Sequence, residues 1–398
     1  MAGAKWIDNL VVRASYGLQG NIDKNTSPFL LGNYRIENIL PGGSEDMIDV
    51  SGAPNKKLRW EKTHSVNAGF DFAVLNQAIN LSVDYYYRKG VDLIGTQMLP
   101  LETGFEMLTV NWASMRNQGV EVALSTRNVH TKNFMWTTNF NFAYNNNKVL
   151  KEALREDALE PGREGYPAGA LFALKTAGLD EEGYPMFQDK DGKAVSAMEF
   201  FKLQEWGFGA TDLTARERRE LYTYVGTADC PYTGGFNNTF TYKAFELGVN
   251  FSFDFGGKVR SQPTYSIVDF DKGRNTNRDI LNRWTPENTE TIFPVLLSQN
   301  ERLDEYMWYS NQNEIYRNLD IWIRDLNYVR LQNIRLGYTL PTNFTRTLGM
   351  TSATVAIEGR NLLVFGSSYK NYLDPETMSN AYATPAPKSV TLSLNLIF

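Results

Sequence analysis

TGGFNNTFTYKAFELGVNFSFDFGGK, residues 233–258, is the stretch that decides the fold. From Phe245 onward every second residue is apolar, and the residues between are polar or glycine. Successive side chains of a strand point to opposite faces, so this period of two predicts a strand with one apolar and one polar face. Residues 236–242 repeat the pattern more weakly, and only residues 243–244 separate the two segments. The stretch therefore predicts an antiparallel hairpin with a tight turn.

The composition of the two faces indicates what each one meets. In a soluble sandwich, aliphatic and small residues mix on the buried face because two sheets must interdigitate, and one hairpin does not exclude that alternative. Here phenylalanine dominates the apolar face, and the other face carries Asn, Ser, Thr, Asp and Glu. Such strands are typical of a transmembrane barrel with apolar residues toward lipid and polar residues toward the lumen. The residues predicted to face lipid are Phe245, Val249, Phe251, Phe253, Leu392, Leu394, Leu396 and Phe398.

Composition excludes several other classes of protein. The 398 residues carry a net charge of −5 and no basic cluster, which argues against nucleic acid as a partner. No apolar run approaches the roughly 20 residues of a spanning helix, so membrane insertion would have to use β-structure. The single cysteine, Cys230, excludes an internal disulfide and a cysteine metal cluster. The first residues lack the pattern of a secretory signal, so an exported barrel with this N-terminus is expected to be a fragment.

Strand-like alternation recurs along the chain and predicts about ten strands. The predicted connections alternate between short turns, as at 76–77, 128–133 and 243–244, and long loops, of which 146–232 and 256–325 are the largest. Outer-membrane barrels have short turns on the periplasmic side and long loops outside, whereas a sandwich has no reason to keep this one-sided pattern. We therefore predict an antiparallel transmembrane barrel with two large extracellular loops. The first strand would run outward, and the last would end on the periplasmic side.

Three finer features are also predicted. The strand within 326–341 changes its apolar parity, which predicts a bulge near residues 332–333. Inside the first large loop, residues 213–222 have a helical pattern, and the turn-rich stretch 179–193 predicts a small hairpin. Its DKDG run, 189–192, resembles half of a calcium loop, but the later Glu ligand is not at the required spacing. An Asp-Gly turn is the favoured interpretation.

Several separated stretches, read together and in order, carry a family resemblance. They are WIDNLVVRASYGLQGN (6–21), LRWEKTHSVNAGFDFAVLNQAINLSVDYYYRKGVDLI (58–94), NQGVEVAL (117–124), YTGGFNNTFTYKAFELGVNFSFDFGGK (232–258), RWTPEN (283–288), YVRLQNIRLGYTLP (328–341), EGRNLLVF (358–365) and VTLSLNLIF (390–398). Spread over essentially the whole chain, they resemble the C-terminal part of SusC/RagA-type TonB-linked outer-membrane proteins.

The resemblance implies a place in the Gram-negative outer membrane and a role in nutrient import. Such proteins enclose a TonB-contacting plug domain in a barrel of about 22 strands. They work with a SusD-like surface lipoprotein and import oligosaccharides or, in some members, peptides. Residues 1–398 would be the C-terminal part of the barrel, without the plug, and no cofactor or enzymatic reaction is implied. Alone, this part would leave two open strand edges in the membrane, where each unpaired backbone group costs several kcal/mol.

Aromatic residues are the best candidates for contact with a ligand or with the lipoprotein. Rings on loops above a rigid scaffold suit both sugar stacking and interface anchoring, although packing inside large loops is an equal alternative. An inward-facing ring, Tyr86, could stack on a sugar or belong to the aromatic girdle of the barrel. The predicted contact residues are Tyr86, Trp206, Phe208, Trp308, Tyr309, Tyr369 and Tyr372, and Tyr222 and Tyr382 are further loop aromatics of the same kind.

The charged residues favour no catalytic site. Charges with lumen parity (Asp84, Arg88, Glu121, Glu246 and Asp254) are expected to be solvated or to contact the plug. His64 and His130 lie far apart without a triad-like neighbourhood, so a barrel hydrolase is improbable. The other rival is a self-contained barrel with a structural, adhesive or porin role.

Overall fold

The computed structural model describes residues 6–398 except 25, 41, 51, 106, 205–210, 262–272, 274–277, 297–316, 367–373 and 379–382. The strands are β1 Ile7–Asn21, β2 Gly32–Leu40, β3 Gly43–Val50, β4 Glu61–Val74, β5 Ile79–Met98, β6 Met107–His130, β7 Phe134–Lys151, β8 Ala170–Leu174, β9 Thr176–Leu179, β10 Pro185–Gln188, β11 Ala194–Val195, β12 Tyr222–Thr227, β13 Tyr232–Tyr242, β14 Phe245–Arg260, β15 Ile323–Thr339, β16 Ser352–Phe365 and β17 Ser389–Ile397. The α-helices are α1 Ala197–Phe200, α2 Ala215–Glu220 and α3 Thr342–Thr347, and 3-10 turns occupy Leu101–Thr103, Arg278–Asn282 and Asp320–Trp322.

A ten-stranded antiparallel sheet, called the wall below, forms the main body. Its order is β1-β4-β5-β6-β7-β13-β14-β15-β16-β17, so each strand lies beside the wall strand that precedes it in sequence. The prediction of about ten antiparallel strands is confirmed. Within the described residues, β1 and β17 each pair with one neighbour only, and both edges of the sheet are open there. None of the described helices has the length and apolar character needed to cross a membrane.

The register joins the alternating patterns of separate strands into continuous rows. Directly opposed residues of an antiparallel sheet share a face. One row is apolar or glycine throughout: Val12, Phe70, Val83, Val122, Phe142, Gly234, Phe253, Val329 and Phe365. The adjacent row on the other face is mostly polar: Arg13, Gly69, Asp84, Glu121, Ala143, Thr233, Asp254 and Tyr328. The wall therefore has one apolar face and one polar face over most of its width.

The two ends of the wall differ in their connections. One end, called the turn end, carries the tight turns 75–78, 131–133 and 243–244 and the connection 340–351, which contains α3. The other, the loop end, carries residues 22–60, 99–106, 152–231, 261–322 and 366–388. The predicted alternation of short and long connections is therefore present. The bulge predicted in β15 is confirmed, because the pairing of β15 with β14 and its pairing with β16 both shift register at Gln332.

Strands at the loop end are longer than the alternation predicted. β5 and β6 have 20 and 24 residues, more than the 9–11 that a tilted strand needs to cross a bilayer. β7 and β14 also continue beyond the predicted loop starts, to Lys151 and Arg260. The first connection contains a hairpin, β2–β3, that the sequence pattern did not reveal. The extensions of β5 and β6 do not alternate strictly between apolar and polar residues, so the sequence pattern did not mark them as strand.

The two large loops share a hydrophobic core. Leu174, Phe187, Val195, Ala197, Phe200 and Phe201 come from the first loop, and Leu319 and Trp322 come from the end of the second. Phe187 and Trp322 are 0% exposed, and the Phe187 ring stacks on Phe200 with centroids 4.8 Å apart. The small sheets β9–β10–β11 and β8–β12 frame this core. Together these segments form a folded unit, called the loop domain below.

Candidate functional site

The polar face of the wall is the candidate site, because it surrounds a cavity of about 540 Å³ near the turn end. Strands from β1 to β14 contribute to its lining, so the wall curves around its polar face. Amides and hydroxyls dominate the polar lining: Asn9, Asn80, Ser82, Ser125, Asn139, Asn141, Asn237 and Asn250, together with Asp71. Such groups both donate and accept hydrogen bonds, so this surface suits neutral polar ligands such as sugar hydroxyls or peptide amides.

An ion network fixes the polar face at the β1 edge. The guanidinium of Arg13 contacts Asp84 through two nitrogens, Nε at 3.1 Å and Nη2 at 2.5 Å, and its Nη1 contacts Asp71. Ser82 accepts from Arg13 Nη2 at 3.0 Å and donates to Asp71 Oδ1 at 2.7 Å. A bidentate arginine held by two carboxylates has little freedom. Asp84, predicted to face the lumen, is therefore paired within the wall.

Tyr86 lies on the polar face and belongs to the wall packing. Its hydroxyl donates to Asn145 Oδ1 at 2.9 Å, and the guanidinium of Arg88 lies 5.2 Å from its ring centroid. The ring needs Gly119 opposite it, since a Cβ there would lie 2.6 Å from the Tyr86 hydroxyl and 2.1 Å from the Tyr144 carbonyl oxygen. Tyr86 is half-buried, so part of the ring is accessible from the polar side.

A second, more buried network ties a loop to the polar face of β15. Arg330 is 2% exposed, and its Nη2 contacts Asp374 while its Nε lies 2.9 Å from Glu376 Oε1. The hydroxyl of Tyr328 donates to Asp254 Oδ2 at 2.5 Å and to Glu376 Oε1 at 3.2 Å. Segment 374–378, from the connection between β16 and β17, thus folds back onto the polar face.

Opposing effects act on the Asp374 carboxyl in this network. Burial tends to raise its pKa, but the Arg330 guanidinium and the backbone amides of Glu376 and Ala386 outweigh burial and hold the pKa of Asp374 below its usual value. Asp374 is therefore charged, and a buried charge pair of this kind fixes the position of the loop.

The structure places few of the predicted contact aromatics. Trp206, Phe208, Trp308, Tyr309, Tyr369, Tyr372 and Tyr382 lie outside the described residues. Tyr222 is described: its hydroxyl accepts a hydrogen bond from Asn318 at 3.2 Å, and its ring packs against the loop-domain core. For Tyr222 the packing alternative is therefore the better description.

The remaining polar candidates have structural partners. The carboxylate of Asp189 accepts from the backbone amides of Asp191 and Lys193, at 3.0 and 2.7 Å, and Gly192 adopts a positive φ of 81°. This is the Asp-Gly turn favoured from the sequence. His64 Nδ1 lies 2.9 Å from the Tyr16 hydroxyl, far along β4 from any catalytic grouping. The described residues contain no group of three His, Cys, Asp or Glu arranged to hold a metal ion.

The sequence reasoning missed the residues that organise the polar face. Arg13 has the polar parity of β1, and that parity is the signal that could have predicted its partnership with Asp71 and Asp84. The face of Arg330 could not be assigned from the sequence, because the apolar parity of its strand changes at the bulge. Its partners Asp374 and Glu376 come from a loop that has no periodicity.

The residues predicted to face lipid share the apolar face. Phe245, Val249, Phe251 and Phe253 lie on β14 opposite apolar residues of β15, and the Phe236 and Phe251 rings stack at 4.8 Å. The apolar residues of β17 are open to the surroundings, with Leu392 76% and Leu394 62% exposed. Phe398 follows β17 and is 80% exposed.

Comparisons with known proteins agree on one kind of barrel. Residues 1–171 match the family model for the TonB dependent receptor-like β-barrel. The chain is 27% identical to TonB-dependent receptor P3 of Formosa agariphila, over 97% of this chain and 39% of that protein. It is 26% identical to TonB-dependent receptor SusC of Bacteroides thetaiotaomicron, over 86% of this chain and 32% of that protein.

A solved structure shares the fold. The RagAB peptide transporter matches 99% of this chain and 41% of its own chain, with a TM-score of 0.74 and 23% identity. In each comparison the chain spans well under half the length of the related protein.

The resemblance predicted from the sequence is thereby confirmed. The chain is similar to TonB-dependent receptors of the SusC/RagA type, and its fold is that of the C-terminal part of an antiparallel transmembrane barrel of this type. It is a protein of the Gram-negative outer membrane. The curated relatives are named as receptors, and the chain is accordingly not an enzyme.

Proposed function

We propose that the chain forms part of the wall of a TonB-dependent importer that takes up oligosaccharides or peptides. The observation that carries the proposal is the two-faced wall, whose apolar rows run across nearly all ten strands while the opposite face surrounds a cavity whose polar groups are mainly amides and hydroxyls. In this proposal the apolar face meets lipid, the polar face lines the lumen, the turn end lies in the periplasm and the loop end lies outside the cell.

The spacing of the aromatic residues supports the lipid-facing assignment. Two rows of rings cross the apolar face: Phe134, Tyr242, Phe245 and Tyr338 at the turn end, and Tyr85, Tyr144, Tyr232 and Phe255 toward the loop end. Tyr232 and Tyr242 begin and end β13, which has 11 residues. At about 3.4 Å per residue and a tilt of about 40–45°, the rows are roughly 25 Å apart along the membrane normal. This is the height of the apolar band of outer-membrane barrels, with an aromatic girdle at each border.

Transport would use binding and movement and would break no bond. The amide-rich polar face offers hydrogen bonds to sugar hydroxyls or peptide groups, and energised movement of a plug domain would open the path. The loop aromatics Trp206, Phe208, Trp308, Tyr309, Tyr369 and Tyr372, with Tyr86 in the lumen, are the proposed contacts for the ligand or the lid. The loops at 146–232 and 256–325, proposed to be extracellular, would present most of them.

The partners follow from the relatives. The curated relatives are named TonB-dependent receptors, which supports contact with TonB. The family resemblance implies that this contact is made through a plug domain and that a SusD-like surface lipoprotein covers the extracellular mouth. The RagAB structure is named for peptide transport, and oligosaccharides are the other ligand class that the family resemblance implies. Both ligand classes are polar and largely uncharged along their backbones, which suits the amide-rich lining.

Uptake by intact cells tests the proposal. A strain lacking this protein is compared with the complemented strain for accumulation of labelled oligosaccharides and labelled peptides, with and without a protonophore. We expect complementation to restore uptake of one class and the protonophore to abolish it, because a TonB-driven plug needs the proton-motive force. Uptake that persists in the protonophore would contradict an energised importer and favour a porin, and no uptake in either strain would favour a structural or adhesive barrel.

A further inference from the structure

Four basic residues form one row across the wall toward its loop end. His64, Lys89, Arg116 and Lys148 lie directly opposite one another on β4, β5, β6 and β7. Directly opposed residues share a face, with Cβ atoms about 4.5–5.5 Å apart. This set, called the basic row below, is therefore a compact line of basic side chains, of which the two lysines and the arginine are cations.

The basic row lies on the apolar face of the wall. Moving two residues along each strand toward the turn end gives the row that contains Tyr87 and Gln118, and two more give the girdle row of Tyr85 and Val120. Arg88, next to Lys89, points to the polar face, where its guanidinium lies beside the Tyr86 ring.

The height of the basic row corresponds to lipid headgroups. Residues of one face are about 7 Å apart along a strand, so the basic row lies roughly 13 Å beyond the girdle row, or about 10 Å along the membrane normal after tilt. This inference rests on the proposed orientation of the wall. In that orientation the row is in the headgroup layer of the outer leaflet.

The cations of this row lack a counter-charge within the described part of the chain. Lys89, Arg116 and Lys148 form no ion pair there. The nearby carboxylates are engaged: Glu61 accepts from a backbone amide and an asparagine side chain, and Asp92 pairs with an arginine and a lysine. Like charges directly opposite one another destabilise a sheet, so this arrangement calls for an anion from outside the chain.

Arg116 also has a side-chain donor without a partner. Among the described residues, its Nε is the buried side-chain atom without a hydrogen-bond partner. A buried donor left unpaired is costly, and arginine matches phosphate oxygens through its planar fork of donors. The central residue of the row is thus the one with an unused donor.

We propose that the basic row binds the phosphate of a glycolipid headgroup in the outer leaflet. Lys89, Arg116 and Lys148 contact the phosphate oxygens, and the acyl chains lie against the apolar residues below. His64, held by Tyr16, closes the β4 end of the site. The site would attach the barrel to phosphorylated lipid on the side formed by β4 to β7.

The proposal is tested by measuring how much lipid the intact barrel protein retains. The protein is purified in mild detergent, and retained lipid is detected by native mass spectrometry. The probe is a phosphorylated lipid A in nanodiscs, compared with the same lipid after phosphatase treatment. The combined variant Lys89→Gln, Arg116→Gln, Lys148→Gln should weaken binding by about 100-fold, at roughly fivefold per lost charge near an anionic surface. Arg88→Gln, which removes a charge from the opposite face of β5, is the matched control and should bind as the unmodified protein does.

Three results would overturn the proposal: equal retention by the combined variant, equal binding of the phosphatase-treated lipid, or full competition by millimolar inorganic phosphate, which would indicate a free-phosphate site. If the combined variant fails to fold, the comparison of the two lipids on the unmodified protein still decides. Uptake is scored separately, so loss of transport and loss of lipid binding are distinguishable outcomes.

Discussion

The wall and the loop domain place their large apolar side chains on opposite sides: the wall exposes them and the loop domain buries them. In the wall, large apolar residues lie on an outer face, with Val12 and Leu392 each 76% exposed. In the loop domain they turn inward, and Phe187, Leu319 and Trp322 are 0% exposed. Both regions are rich in aromatic residues, so aromatic content alone does not distinguish a surface that meets lipid from a core that excludes water. Periodicity does, because a long wall strand such as β14 alternates without interruption from Phe245 to Phe255.

The largest expected effect is in the loop-domain core. Phe187→Ala should destabilise the loop domain by about 3–5 kcal/mol, because the ring is fully buried between Phe200 and Phe201. Hydrogen exchange of the intact protein should show faster exchange in 170–227 and unchanged exchange in β5 and β6. Leu159→Ala, at a position 44% exposed, is the control and should change little. Equal effects of the two substitutions would mean that the loop domain has no cooperative core.

A somewhat smaller effect is expected on the apolar face of the wall. Phe251→Arg places a charge near the proposed midplane and should cost about 2–4 kcal/mol, while Asn250→Arg, one residue away on the polar face, should be tolerated. Folded yield in lipid vesicles and urea unfolding of the folded fraction measure both. If the two variants unfold alike, the assignment of the apolar face to lipid is wrong.

The smallest expected effect is a loss of stability of helix α2, in the loop domain, at acid pH. Helix α2 begins with a capping box in which Thr214 and Glu217 exchange hydrogen bonds, and Lys202 lies 3.2 Å from the Glu217 carboxylate. Hydrogen bonds from the Thr214 backbone and side chain, then from Lys202, lower the pKa of Glu217 to about 2. Since the pKa is lower in the folded state, this stabilisation is complete above about pH 4.5 and is lost as the pH falls toward about 2.

Amide exchange in residues 215–220, measured between pH 5 and pH 2.5 and corrected for the intrinsic rate, should therefore show weaker protection at acid pH. Glu217→Gln should remove most of this dependence, because its side chain does not titrate. A dependence that survives the substitution would have to come from another group.

Most strands of the wall could be predicted from the alternation of apolar and polar residues. The contacts on the polar face could be predicted only in part. Phe245 to Phe255 predicted the strand, its face and its hairpin partner, and the parity change near Gln332 predicted the bulge. These predictions succeed because the strand keeps one apolar face along its length, and such a face appears in the sequence as a period of two. The sequence also indicated α2, through the helical pattern of residues 213–222.

What escaped prediction lies where no such constraint acts. The extensions of β5 and β6 lack the strict alternation of apolar and polar residues, and the hairpin β2–β3 lies in the first connection outside the wall. The pairing of Arg330 with Asp374 joins a strand to a loop 44 positions further along the chain, a distance that local pattern does not encode. The basic row was equally hidden, since its members are spread over four strands and become neighbours only through the register.

The bulge at Gln332 shows how such a chain can change over evolution. Because one additional residue reverses which side chains face outward, Val329 and Leu331 share a face with Ile334 and Leu336 across it. A one-residue deletion at this point would turn either Arg330 or Asn333 toward the apolar face, along with every second residue of its half of the strand. A change of length in one of the long connections would leave this parity untouched, so the wall tolerates such changes at its loop end and not within its strands.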